Sequence, residues 1–171
     1  MTYNKFFILI SITIGGLLLS SCSYSFTGSS VPAHLNTISI PLALDRSGSG
    51  EPDLSENLTN ELITKFLNDN SLQIADRVNA DAILECTITS IPDIPEVISG
   101  GEEVTLRKIT LNIKVTYRDL VERKTIFDRN FSNFGNYSVD SPDIQQARLD
   151  AISQAIDLIT EDILLAVVSN W

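Results

Sequence analysis

Few side chains in these 171 residues have the types and spacing for chemistry, and the most reactive candidate lies near the start. Cys22 follows Leu19-Ser20-Ser21, and its thiol is the one strong nucleophile of that stretch. The small residues before it let a processing enzyme bring its backbone close, and the sulfur is the atom that can be alkylated to a thioether. Elsewhere the chemistry is sparse. His34 is the sole histidine, so Ser/His/Asp, Cys/His and His-rich metal arrangements have no members to draw on. Gly48 and Gly50 lack the Lys-Thr that would complete a phosphate loop. Glu102-Glu103 has the chemistry of an acid/base pair but reads as solvated loop charge. No catalytic residue, metal site or cofactor is expected.

The residues around Cys22 fix its role. Met1 to Lys5 is polar with one basic side chain. In Phe6 to Leu18, Ser11, Thr13, Gly15 and Gly16 alone are not large and apolar. This is the layout of a secretory signal, too short for the roughly 20 apolar residues of a membrane span. Leu19 to Cys22 resembles the lipobox of bacterial lipoproteins, in which the cysteine receives diacylglycerol and becomes the new N-terminus. Each buried methylene contributes about 0.8 kcal/mol, so three acyl chains on Cys22 would anchor the chain lastingly. Ser23, where an acidic residue would stand in retained lipoproteins, implies by the same resemblance an outer-membrane lipoprotein facing the periplasm. The expected division is a signal peptide over 1–21, a lipidated tether over 22–35 and one domain over 36–171.

Charge excludes one class and suggests a surface. Twelve basic and 22 acidic residues give a net charge of −10, or −11 once Lys5 leaves with the signal, which argues against nucleic acid as a partner. Yet seven basic and three acidic residues lie between Arg107 and Arg129, a local net of +4. Lys108, Lys114 and Arg118 share one face of a predicted strand. With Arg107 and Arg129 they are candidates for contacting an anion; the competing reading is solubilising charge on an exposed hairpin. With Cys22 acylated, Cys86 has no partner for an intrachain disulfide, and it falls on the apolar side of its strand.

Periodicity supplies the scaffold. Thr37 to Leu44 alternates, with Ile38, Ile40, Leu42 and Leu44 on one side, and Pro41 suggests an edge or bulge. Pro52 opens a helix carrying Leu54, Leu58, Leu62 and Phe66, with Ile63 and Leu67 beside them. Leu72 to Ala75 is a short extended piece, and Ala82 to Thr89 is a second strand. Pro92 to Glu103 reads as a long loop of the functional or mobile kind. The alternation from Lys108 to Tyr117 is the clearest strand. Leu106 has the opposite parity, which predicts a bulge near Arg107. Thr125 to Phe134 returns as its partner, and Ser141-Pro142 starts a helix running to about Ser169. The expected fold class is α+β: a two-layer sandwich of a four-stranded mixed sheet with two helices packed on one face. The opposite face, with Glu85, Thr87, Thr89, Lys108, Thr110, Asn112, Lys114 and Thr116, is polar and open.

Cys22 to Phe26, Thr37 to Pro41, the helix after Glu51-Pro52, Ala80 to Leu84 and a terminal helix closing on Trp171, taken in that order, resemble the LptE family, in the divergent form of Bacteroidetes-like bacteria. The resemblance implies two helices on one face of a four-stranded sheet and no catalytic residues. It implies a lipopolysaccharide-transport lipoprotein that plugs and helps assemble the LptD β-barrel and contacts lipopolysaccharide. It makes Lys108, Lys114, Arg118, Arg107 and Arg129 candidates for lipopolysaccharide phosphates. The alternative is a tethered lipoprotein activator of a cell-wall enzyme.

Overall fold

A computed structural model describes residues 31–96 and 106–169. Cys22, Glu102-Glu103 and Trp171 lie outside these residues. The elements are β1 Thr37–Ser39, β2 Leu44–Asp45, α1 Leu54–Asp69, β3 Gln73–Ile74, β4 Ala82–Ser90, β5 Asp93–Glu96, β6 Leu106–Asp119, β7 Lys124–Ser138 and α2 Ile144–Val168. Two helices cover one face of a mixed sheet. No helix among the described residues is long and apolar enough to cross a membrane.

Among the described residues the sheet has seven strands rather than four. Two of the expected rows are broken in two. β1 and β2 both run parallel to β4, with Ile38 opposite Ala82 and Leu44 opposite Thr87. Pro41 sits in the gap between them, as expected of a residue without an amide donor. The break also corrects the expected parity: Ile38 and Ile40 are buried, but beyond Pro41 it is Ala43 that points inward, while Leu42 and Leu44 are exposed. Likewise β4 and β5 form one interrupted row along β6, and the first part of the expected Pro92–Glu103 loop is the strand β5. The extended piece after α1 becomes β3, a two-residue edge on β1.

The core follows the periodicities. Ile109, Leu111, Ile113, Val115 and Tyr117 of β6 are at most 2% exposed and face the helices. They meet Leu54, Leu58, Leu62 and Phe66 of α1 and Ile152, Ala155, Ile156, Ile159, Ile163 and Val167 of α2 in one cluster. Leu67 departs from expectation, since it faces solvent. Among the described residues, which begin again at Leu106, the bulge expected near Arg107 is absent. β6 pairs regularly with β7 from Leu106 to Tyr117, and the register shifts after Tyr117, where Ile126 is the extra residue; β4 bulges at Thr89. Cys86 is buried at 5% exposure, and burial pushes its thiol up to about 12, so it behaves as a small apolar side chain.

Caps close the elements. Asp143 caps α2 by accepting from the Gln146 N–H, two residues beyond the expected cap Ser141. Asn70 ends α1 in the left-handed region at φ 57°, its N–H donating to Phe66 O. Gly135 of β7 lies against α2 so closely that a Cβ there would stand 2.0 Å from the Ala151 carbonyl oxygen. Helix and strand touch backbone to backbone at that point.

Candidate functional site: the open face of the sheet

Because side chains alternate, the strands that bury one row display another. β6 presents Lys108, Thr110, Asn112, Lys114, Thr116 and Arg118. By register, β4 adds Glu85, Thr87 and Ser90, with the expected Thr89 displaced into the bulge, and β7 adds Asp128, Asn130, Ser132, Phe134 and Asn136. The face is polar with a few apolar points: Leu44, Ile94 and Phe134 are 49%, 52% and 42% exposed, and Ile83 is fully buried opposite Arg118.

The five basic candidates do not converge. Lys108, Lys114 and Arg118 lie on the open face, while Arg107 and Arg129 belong by parity to the helix side. Lys108 and Lys114 are six residues apart on one strand, about 20 Å, so no single phosphate bridges them. Their charges are also largely answered within the fold. Lys114 pairs diagonally with Asp128 at 3.1 Å and Arg118 with Glu85 at 2.6 Å. Arg107 donates through Nε to Asp93 Oδ1 at 2.8 Å and through Nη2 to the Asp93 carbonyl at 3.0 Å. The Asp93 hydrogen bond raises the Arg107 pKa further. Arg129 lies 5.3 Å from the Phe127 ring and Lys108 3.9 Å from the Phe134 ring. The local net of +4 counted along the chain is therefore offset by Glu85 and Asp93, which come from β4 and β5.

Asp93 is a hub that the sequence did not single out. Its Oδ2 accepts from the Tyr137 hydroxyl at 2.9 Å and from Arg148 Nε at 3.4 Å, and Arg148 Nη1 reaches Glu51 at 2.7 Å. One ionic network thus ties the turn before α1 to β5, β6, β7 and α2. The partners are 44 and 55 residues away, so no local motif announces it.

His34 is likewise placed by tertiary structure. Its Nε2 is 2.6 Å from Oδ2 of Asp119, a fully buried side chain, and 3.9 Å from Glu122 Oε1. One imidazole nitrogen and two carboxylates within 4.8 Å have the chemistry to hold a divalent cation. The Asp119 oxygens are already engaged, however, since Oδ1 accepts from the Glu122 N–H at 2.8 Å. Burial raises the Asp119 pKa, but His34 and the Glu122 N–H outweigh it and the net shift is downward. The arrangement serves as a latch where the chain enters the domain. A second latch lies beside it: Asp81 accepts from the Asn36 and Thr37 N–H groups at 2.9 and 3.0 Å, and these bonds lower its pKa.

A groove of about 720 Å³ between the helices is lined by Leu54, Ile152 and Ile156 together with Glu51, Glu61 and Asp157. These acids are held by Arg148 and Lys65.

Comparison with known proteins agrees with this arrangement. Among solved structures, the chain is similar in fold to a minor lipoprotein of Acinetobacter baumannii at 16% identity and a TM-score of 0.54, covering 80% of this chain and 94% of that one. The rare lipoprotein B of Shewanella oneidensis aligns at 13% identity and a TM-score of 0.54, over 77% and 92% of the two chains. A Xanthomonas campestris protein aligns at 13% identity and a TM-score of 0.57, over 82% and 90%. No curated protein matches it in sequence. The model of the LptE lipopolysaccharide-assembly family matches residues 35–167, from the latch at the domain entrance to the last turn of α2, and the chain belongs to that family.

Proposed function

We propose that this protein is an outer-membrane lipoprotein, anchored through Cys22, which plugs and helps assemble an LptD-like β-barrel in lipopolysaccharide transport. The observation that carries the reading is the one-sided sheet. Both helices are spent on one face, and the other offers hydroxyl and amide side chains with Lys114 and Arg118 already paired to acids. Such a surface suits the polar wall of a barrel lumen better than an apolar partner. Internal pairing also keeps those charges from being stranded when the face is covered, since a buried unpaired charge is costly. Family membership supports a role in lipopolysaccharide assembly.

Direct contact with lipopolysaccharide falls to Lys108, whose contact on this face is an aromatic ring rather than an acid. Lys114, Arg118, Arg107 and Arg129 would contribute by exchanging present partners for phosphate, which a charge-assisted bond makes feasible. The whole-chain charge of −10 opposes general affinity for a polyanion. No residue is assigned a catalytic role.

The test is purification of the full-length acylated protein from its own membranes in mild detergent, with identification of what accompanies it. A stoichiometric outer-membrane β-barrel is expected, and Cys22→Ala should remove the protein from the membrane fraction. A cell-wall synthase in place of the barrel would overturn the reading.

A further inference from the structure

The two edges of the sheet are treated differently. One is staggered over the short strands β3, β2 and β5, of two, two and four residues. The other is β7, 15 residues long, and among the described residues no strand pairs with its outer side. Long, flat edges are ordinarily blunted by lysine, proline, bulges or brevity. From Thr125 to Ser138 there is no proline, and Asp128 and Arg129 are the charged residues. The bulge lies at Ile126, before the long regular stretch.

The hydrogen-bond phase shows which backbone groups face outward. The Thr110 N–H donates to Pro92 O at 2.9 Å, on the β5 side, so Thr110 and its partner Phe134 form a non-hydrogen-bonded pair. Phe134 therefore turns its N–H and C=O away from β6, and that N–H is met by the side-chain oxygen of its neighbour Asn133 at 3.0 Å. By alternation, Asp128, Asn130, Ser132 and Asn136 also direct their backbone groups to the free edge, and all five residues are exposed.

Above this edge α2 forms a ledge. Asn133 Nδ2 donates to Asp162 at 3.0 Å, which places Asp162 on the β7 side of the helix, whereas Asp157 and Glu161 meet Lys65 of α1. Leu158 and Leu165, one turn to either side of Asp162, are 39% and 49% exposed. We propose that the β7 edge takes up one extended strand of a partner polypeptide. Of its alternate side chains, those turned toward α2 are apolar with a basic residue among them, opposite Asp162; the others are polar, beside Asn130 and Ser132. Main-chain hydrogen bonds supply affinity and the alternate side chains supply selectivity. Charge decides against a second copy of this chain: antiparallel pairing centred on Ser132 would bring both Asp162 carboxylates to the same face near the two-fold axis, between chains of net charge −10. The inference is independent of the barrel reading.

The test is amide hydrogen exchange on the full chain in detergent micelles. The probe is a capped heptapeptide in which leucine, lysine and leucine alternate with threonine. In the free chain the amides of Asp128, Asn130, Ser132 and Asn136 should exchange fast and those of Arg129, Phe131 and Gly135 slowly. Peptide at about ten times its Kd should slow the first set roughly tenfold. Ser132→Pro should keep the slow core amides and lose the peptide effect, and Asp162→Lys should shift preference to a peptide with glutamate in place of lysine. Absence of slowing with either peptide would overturn the proposal. So would retention of the effect in Ser132→Pro, or slowing that depends on protein concentration without peptide, the signature of self-pairing.

Discussion

The two faces of β6 are written by alternate residues of one strand and answer to different physics. On the helix side, Ile109 through Tyr117 are sealed at close to zero exposure and owe their identity to volume. On the open side, Lys108 through Arg118 are held by cross-strand bonds to Glu85, Asp128 and Ser90. A sheet can thus place its stability on one face and its recognition on the other without either constraining the other. The comparison is breakable, because substitutions one residue apart should fall into separate classes.

The largest effect is expected where strand and helix touch without side chains. Gly135→Val would set a branched side chain against the Ala151 carbonyl, where even a Cβ lies 2.0 Å away, so β7 and α2 must separate. A loss of roughly 4 kcal/mol or more is expected, at the exceptional end for single substitutions, read as a collapse of the denaturation midpoint. Leu111→Ala comes next: its side chain is fully buried at the sheet centre, and truncation should cost about 2–5 kcal/mol. A Leu111→Ala loss below about 1 kcal/mol would mean that the helix-side face is not the stabilising one.

Much of this division was legible in the sequence. The period-two run from Lys108 to Tyr117 separated the faces residue by residue, and the spacing of Leu54, Leu58, Leu62 and Phe66 identified the inward stripe of α1 correctly. What escaped depends on distance along the chain. Pro41 announced a disturbance, but whether the chain would bulge or break and reverse parity was set by pairing with β4. Asp93 lay within an apparent loop because its strand is four residues long and its partners come from β6, β7 and α2. The basic hairpin looked more cationic than it is because its counter-charges sit on neighbouring strands. Gly135 had no local signal, since its reason for being glycine is a helix that arrives later.

Between the two classes stand the polar contacts that join elements. Asp93→Ala would take the carboxylate from Arg107 and the Tyr137 hydroxyl, while Arg148 keeps Glu51 and Arg107 keeps the backbone carbonyl of residue 93; with the groups also partly hydrated, about 1–3 kcal/mol is expected. Acid should act on the domain entrance. Asp81 and Asp119 both have depressed pKa values, so each contributes stability that is complete above the unfolded carboxyl value near 4 and is lost as pH falls through the folded value. The thermal midpoint should fall below about pH 4, and less steeply in Asp81→Asn, which titrates one such group fewer. An equal acid response in Asp81→Asn and the native chain would remove that latch from the account.

The smallest effects on stability are expected on the open face, and there a null result is the informative one. Thr110→Ala and Asn130→Ala remove exposed or half-exposed polar groups without opening a cavity, so each should stay within about 0.5 kcal/mol of the native chain. Lys108→Ala removes a surface contact with Phe134 and should cost at most about 1 kcal/mol. If the face serves recognition, these near-neutral substitutions should still weaken co-purification of the membrane partner, most for pairs that include Lys108. Binding and unfolding measured on the same preparations then separate the faces. Helix-side variants should lose both together, in proportion to unfolding, and open-side variants should lose binding alone. An open-side triple variant, Lys108→Ala with Thr110→Ala and Asn130→Ala, that kept both stability and partner would leave the polar face with solubility as its purpose and direct the search for recognition to the β7 edge.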